Sequence, residues 1–246
     1  MTGSAVVILA AGRGSRLAGD VPKWFVTVGG RTLAERQLDA LRLAGAERVL
    51  VVSGFRPELF DPEALGVELV HNPDWATRNN WRSLALALER LAADGWDGAV
   101  TVLNSDLLVG PRVVGRFLAA AAGDARSLLA VDAEAPRTDE QMKVAVQSGR
   151  VVDIGKGALD AAPGGEYVGL AKLAARDVPA LRAILDAFGT DPAQADAWYE
   201  GAFREAMGAG VEFGVVAVDP ERWIEIDDAA DLARAEAIAA LLEDET

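Results

Sequence analysis

The chain contains no cysteine and one histidine in 246 residues. Without cysteine there is no disulfide, no thiolate metal site and no cysteine nucleophile. The one imidazole, His71, precedes Asn-Pro at a predicted strand end and reads as structural. Positive charge is also scarce: 24 Lys and Arg face 38 Asp and Glu, a net charge of -14. That balance argues against a nucleic-acid partner, which needs a basic face for the phosphates. A small anionic substrate stays admissible, because a few arginines in one cleft can outweigh the global field locally. No apolar segment approaches the ~20 residues that span a bilayer, and residues 1–7 lack the basic start and long apolar run of a signal peptide. The expectation is a cytoplasmic protein that binds neither nucleic acid nor membrane. Hydrophobic residues make up 51 %, enough to bury a sizeable core.

Along the first half, strands and helices alternate. The run "AVVILA" has no internal charge, as a parallel strand buried on both faces requires. Thr32 can cap a helix through "LAERQLDALRLAG", with Gly45 as its stop. "RVLVVSG" and "VELVHN" read as strands, "NWRSLALALERLAADG" as a helix and "AVTVLNSD" as a strand. "PRVVGRFLAAAAG" opens on proline, a favoured first helical residue, and "SLLAVD" follows as a strand. After Val131 the rhythm changes. "AEAPRTDEQ" is loop-like, "KVAVQSGRVVDIG" is a hairpin around Ser148-Gly149, and "YVGLAKLA" is another strand. Two helices are predicted next, over "ARDVPALRAILDAFG" and "DPAQADAWYEGAFREAMGAG", then strand-like "VEFGVVAV" and "RWIEIDD" and a C-terminal helix. The pattern predicts one α/β domain over residues 1–246. It is a Rossmann-like, open, mostly parallel sheet with helices on both faces and a β-rich lid inserted at about 132–210.

The first strand runs into "ILAAGRGSRL", which poses a choice. A dinucleotide turn needs G-x-G-x-x-G and an acid ~20 residues on. Gly12 and Gly14 comply, but Leu17 holds the third position and "RVLVVSG" ends without an acid. No Walker loop occurs either. The turn carries Arg13 and Arg16 instead, with Lys23 following in "PKWF". Glycines let the backbone approach an anion, and arginines add bidentate donors to phosphate oxygens. A triphosphate cradle and a solvated surface turn both fit the turn taken alone.

Two acidic segments extend the pattern. Asp106 in "VTVLNSDLL" falls past the end of a buried strand, where ligands bind in open α/β sheets. Asp227 and Asp228 in "WIEIDDAADL" stand at another strand-to-helix junction, where one of them can cap the helix. Asp106 and Asp227 are the candidate pair for Mg²⁺, which takes one or two carboxylates and completes its shell with water and phosphate oxygens. Asp228 is the candidate cap.

Together these residues resemble the nucleotidyltransferase superfamily, which joins a nucleoside triphosphate to a phosphorylated small molecule. "LAAGRGSRL…PK" resembles its fingerprint, and "SD" and "EID" resemble its metal-aspartate motifs. "VELVHNPDWATRNNWRSLALALE", "MKVAVQSGRVVDIGK", "GEYVGLAKL" and "WIEIDDAADL" are similar to the phosphocholine and phosphonate cytidylyltransferases. The resemblance implies CTP as the nucleotide, a small phosphate or phosphonate as acceptor, and Mg²⁺. It implies a base and ribose site at Leu9, Ala10, Ala11, Gly12, Asn80 and Ser83. The triphosphate would meet Arg13, Gly14, Arg16 and Lys23, and the metal Asp106 and Asp227. Arg13, Lys23, Asp106 and Asp227 would carry the catalysis. Lys156, Glu166, Tyr167, Trp198, Tyr199 and Glu200 would form the acceptor pocket. A sugar-1-phosphate nucleotidyltransferase using UTP, GTP or dTTP is the alternative, and a non-catalytic nucleotide-binding subunit a remote one.

Overall fold

The computed structural model describes residues 4–14, 16–17, 20–135, 139–159 and 161–245. Ser15 of the glycine-rich turn and residues 136–138 of the polar loop lie outside the described residues. Strand β1 (Ser4–Ala10) is buried from Ala5 onward. Its side chains alternate: Val6, Ile8 and Ala10 enter one hydrophobic core, Ala5, Val7 and Leu9 the other. A small hairpin, β2 (Thr27–Val28) and β3 (Arg31–Thr32), leads into helix α1 (Leu33–Leu43). Thr32 and Glu35 form a reciprocal capping box at its start, and Gly45 follows its end with φ 77°. Strand β4 (Arg48–Ser53), the single turn α2 (Pro62–Leu65) and strand β5 (Glu68–His71) come next. Helix α3 (Trp81–Ala93) packs Trp81, Leu84, Leu88 and Leu91 into the second core.

Strands β6 (Ala99–Asn104) and β7 (Leu107–Val109) precede helix α4 (Pro111–Gly123), which begins on the proline marked in the sequence. Strand β8 (Ser127–Asp132) is buried throughout. The hairpin of β9 (Lys143–Gln147) and β10 (Arg150–Gly155) turns on Ser148 and Gly149, both at positive φ (50° and 74°). This is the backbone twist that two-residue hairpins prefer. Strand β11 (Pro163–Leu173), helix α5 (Val178–Thr190), helix α6 (Tyr199–Gly208), strands β12 (Phe213–Ala217) and β13 (Trp223–Glu225) and helix α7 (Ala229–Leu242) complete the chain. None of the described helices is long and apolar enough to cross a membrane.

The nine-stranded sheet runs β5-β4-β1-β6-β11-β8-β12-β10-β9. Its first four strands are parallel, as the strand–helix alternation predicts. Beyond β6 the expectation of an open, mostly parallel sheet is corrected. Strand β11 runs antiparallel to β6, β8 and β9, and its pairing with β9 closes β11, β8, β12, β10 and β9 into a five-stranded ring. The physical cause is the length of β11. Its eleven residues serve the open sheet at one end and the ring at the other, with register shifts between Tyr167 and Ala171 and between Pro163 and Gly165. Such irregularities bend a strand and let a sheet curl. The architecture is therefore mixed α/β.

The chain leaves β1 toward β4 and β5, then crosses back to place β6 on the other side of β1. Ligands in α/β sheets bind at such a switch point, outside the carboxyl ends of the strands.

The helix predicted over "DPAQADAWYEGAFREAMGAG" is broken. Asp191 caps a single 3₁₀ turn, Pro192–Gln194, by accepting from the Ala193 N–H. Trp198 is extended (φ -89°, ψ 151°), and α6 begins only at Tyr199.

Candidate active site

Two adjoining cavities, of about 390 and 320 Å³, open at the switch point and share Leu9, Gly12, Asn79 and Asn80 in their walls. In the larger one the Lys23 ammonium donates to Asp106 Oδ2 at 2.9 Å and to Asp227 Oδ1. Burial alone would lower the Lys23 pKa, but the charges of Asp106 and Asp227 and their hydrogen bonds outweigh it and hold it above the ordinary lysine range. The lysine stem lies against Gly14, where an added Cβ would come within 3.2 Å of Lys23 Cβ and Cγ. Gly14 also has φ 65°, so a side chain there would meet both strain and contact.

Asp106 and Asp227 are distant in sequence, and the backbone explains how they meet. Strand β13 pairs antiparallel with β7, setting Glu225 opposite Leu107. The Ile226 N–H then donates to the Asp106 carbonyl at 3.0 Å, which stations Asp227 beside Asp106. Asp228 caps α7 by accepting from the Ala230 and Asp231 N–H groups. A residue absent from the sequence expectation joins them. Glu225, Asp106 and Asp227 each bring one carboxylate oxygen to within 4.8 Å of the others. The negative charges of Asp106 and Asp227 beside it push the Glu225 pKa above the usual carboxylate range. The signal was available, since residues two apart on a strand share a face and "EID" places Glu225 and Asp227 two apart. Asp106 Oδ1 is buried without a hydrogen-bond partner. This orphaned oxygen, in a set of hard oxygen donors, fits a Mg²⁺ ion.

The residues expected to hold the nucleotide come together only in part. Arg16 lines the larger cavity. Arg13 does not line either one; its guanidinium lies 5.2 Å from the Phe55 ring centroid. The smaller cavity is walled by Leu9, Ala11, Gly12, Asn80 and Ser83, together with Asn72 and Trp75, which sequence reasoning missed. Ala10 is 1 % exposed in the core beneath. Ser83 Oγ accepts from the Asn72 amide at 3.0 Å. Asn80 makes no side-chain cap for α3; its Oδ1 accepts from the Tyr199 N–H at 2.9 Å and so ties the start of α3 to that of α6.

On the opposite wall stand Lys156, Tyr167, Trp198 and Glu200. The Lys156 ammonium lies 4.4 Å from the Trp198 ring centroid, a cation–π contact. Trp198 is 43 % exposed, whereas Tyr199 is wholly buried. The Tyr199 hydroxyl donates to Asn104 Oδ1 at 2.9 Å and meets the Tyr167 hydroxyl at 2.9 Å. Tyr199 thus supports the wall from behind rather than lining it. Glu166 does not line either cavity and accepts from the Gln141 amide at 2.6 Å. Of the remaining lysines in this half, Lys143 donates to the Gly157 carbonyl at 2.9 Å and Lys172 to the Ala121 carbonyl at 2.6 Å.

Burial pushes the Glu200 pKa up to about 7, outweighing the downward pull of its own backbone N–H and of the Lys156 charge. A carboxyl raised in the folded state makes no difference to stability below its ordinary value of 4.5, and destabilises progressively as pH rises toward about 7. Glu200→Gln is therefore expected to raise the Tm at pH 8 by more than at pH 5. Equal shifts at the two pH values in thermal melts would contradict this.

Comparison with known proteins places the site in context. The family described as MobA-like NTP transferase domain matches residues 6–194. The 2-aminoethylphosphonate cytidylyltransferase of Lancefieldella rimae is 26 % identical over 233 residues, 92 % of this chain and 89 % of that protein. The choline-phosphate cytidylyltransferase of Streptococcus pneumoniae is 40 % identical over 91 residues, covering 35 % of this chain and 40 % of that one. The bifunctional protein GlmU of Azoarcus is 33 % identical over 221 residues, 88 % of this chain but 47 % of that protein. The matches to these last two thus take in less than half of their length. Among solved structures, the CTP:phosphocholine cytidylyltransferase LicC from S. pneumoniae has a TM-score of 0.77 at 24 % identity, covering 96 % of this chain and 99 % of that one. The inositol-1-phosphate CTP transferase of T. maritima has a TM-score of 0.76 at 22 % identity, covering 98 % and 96 %. These likenesses establish a common fold, that of the nucleotide-diphospho-sugar transferases.

Proposed function

Since the chain belongs to the MobA-like NTP transferase family and is a nucleotidyltransferase, we propose that it transfers the cytidylyl group of CTP to a small phosphate or phosphonate, with Mg²⁺ as cofactor. The observation that carries this reading is the clasp of Lys23 by Asp106 and Asp227, in one cavity with Arg16, Lys156 and Glu200. The relatives named as cytidylyltransferases support the choice of nucleotide.

In this reading Leu9, Ala11, Gly12, Asn80 and Ser83 receive the base and ribose in the smaller cavity. The backbone at Gly12 and Gly14 cradles the triphosphate, and Arg13, Arg16 and Lys23 neutralise it. Asp106 and Asp227 would hold the Mg²⁺, with Glu225 beside them. When bound, the ion stabilises negative charge on the phosphate oxygens. The segment 132–210 supplies the acceptor wall, where Lys156 faces the phosphorus group.

The nucleophile is an acceptor oxygen that is already ionised at neutral pH, so no general base is needed. That oxygen attacks the α-phosphorus in line. A new P–O bond forms, the bond to the β-phosphate oxygen breaks, and pyrophosphate leaves with the electron pair. The task of the protein is to hold two anions in attack geometry and to stabilise the charge that develops.

The direct test is a pyrophosphate-release screen of CTP, UTP, GTP and dTTP against small phosphates, phosphonates and sugar 1-phosphates. CTP with a small phosphate or phosphonate is expected to lead by at least about tenfold. Turnover of UTP with a sugar 1-phosphate would replace this reading with that of a sugar-1-phosphate nucleotidyltransferase. Lys156→Ala is expected to raise the acceptor KM by about 10–100-fold and leave CTP affinity unchanged. An effect confined to CTP affinity would move Lys156 to the nucleotide side.

A further inference from the structure

Glu200 combines two properties that are rarely found together. Its side chain lines the larger cavity, yet the residue is only 4 % exposed. Its Oε2 atom is buried and has no hydrogen-bond partner. A carboxylate oxygen withdrawn from water without a donor is costly, and such a group in a cavity wall calls for a donor from the ligand. Lys156 lines the same cavity, as does the exposed Glu140, so the acceptor side presents a cation together with an anion, Glu200, that is withdrawn from water.

Resting on the cytidylyl-transfer reading above, we propose that the acceptor is a zwitterion whose ammonium carries N–H groups. Glu200 Oε2 accepts a hydrogen bond from that ammonium, while Lys156 faces the phosphate or phosphonate. The substrate class is thus aminoalkyl phosphates and phosphonates.

The chemistry of the wall separates this class from its two neighbours. A trimethylammonium head offers only methyl groups, so it cannot donate to Oε2, and it is held instead by several aromatic faces. Among the described residues, the rings lining the cavity are Tyr167 and Trp198. Tyr167 is 3 % exposed and offers almost no face, and Trp198 already bears the Lys156 ammonium at 4.4 Å. A hydroxyl in place of the amine could donate a hydrogen bond but would leave the buried carboxylate charge without a counter-charge.

Four compounds decide the matter, used with the intact protein at saturating CTP and Mg²⁺. Phosphoethanolamine against phosphocholine varies only the N-methylation. 2-Aminoethylphosphonate against 2-hydroxyethylphosphonate varies only the amine. The amine is expected to lead by at least about 10²-fold in kcat/KM within whichever pair is turned over. Glu200→Gln is expected to shrink the amine-over-hydroxyl ratio at least tenfold, mainly through KM. Equal or better use of phosphocholine or of the alcohol overturns the inference and leaves cytidylyl transfer standing. A folded Glu200→Gln protein that keeps the full amine preference overturns the role of Glu200. If that variant does not fold, the wild-type ratios decide the substrate class and Glu200→Asp decides the residue, since a carboxylate drawn back by one methylene should lower kcat/KM for the amine. Absence of pyrophosphate release from CTP with all four compounds overturns both this inference and the function on which it rests.

Discussion

Asp106→Ala is expected to lower kcat for pyrophosphate release by on the order of 10³-fold, with the fold retained. Three losses coincide in that one substitution. The orphaned Oδ1 disappears. Lys23 loses one of its two carboxylate partners. The acid cluster falls from three carboxylates to Glu225 and Asp227. The fold should survive because the contact that positions the neighbouring strand is made by the backbone: Ile226 N–H donates to the carbonyl of residue 106, which alanine keeps. Steady-state pyrophosphate release and a thermal melt on the same preparation check both halves. Full activity in the variant would remove Asp106 from the metal site.

Lys23→Met is the second large effect, a loss of about 10²–10³-fold in kcat, the scale of one preorganised charge-stabilising donor. It carries a signature that a structural lesion would not share. The ammonium occupies the space between Asp106 and Asp227, so it competes for those carboxylates with any divalent cation. Removing it leaves three acidic groups facing one another. Half-saturation by Mg²⁺, followed in the absence of nucleotide, is therefore expected at a lower concentration than in the wild type, while turnover falls. Weaker Mg²⁺ binding together with lower turnover would mean that Lys23 organises the acids rather than competing for them.

Much of the parallel half was readable in the chain because its signals are local. A charge-free run marks β1, Thr32 with Glu35 marks the start of α1, and Pro111 opens α4. The capping role of Asp228 was readable for the same reason, since capping depends on residues within one turn. Ring closure was not, because it depends on β11 meeting β9 as well as β8, and no local pattern reports such a pairing. The cavity wall that carries Lys156 and Trp198 shows how small an offset matters. The chain leaves the 3₁₀ turn and enters α6 one residue past Trp198. That offset turns Trp198 out toward the cavity and Tyr199 into the core, where continuous helical periodicity offered no reason to separate them. The placement of Arg13 over Phe55 was not legible for a different reason: the contact joins two loops that meet only in the folded chain.

The ring also bears on how the molecule avoids its own kind. Because β9 turns back to pair with β11, the far end of the nine-stranded sheet offers no open ladder. Among the described residues the free margin of that sheet is β5, four residues long. It opens on Glu68, whose carboxylate is gripped by Arg48 and Arg90. A short margin studded with charge is a poor template for strand addition between molecules. The curl that displaces β11 from a flat sheet thus leaves a large β-structure with very little exposed backbone through which it could polymerise.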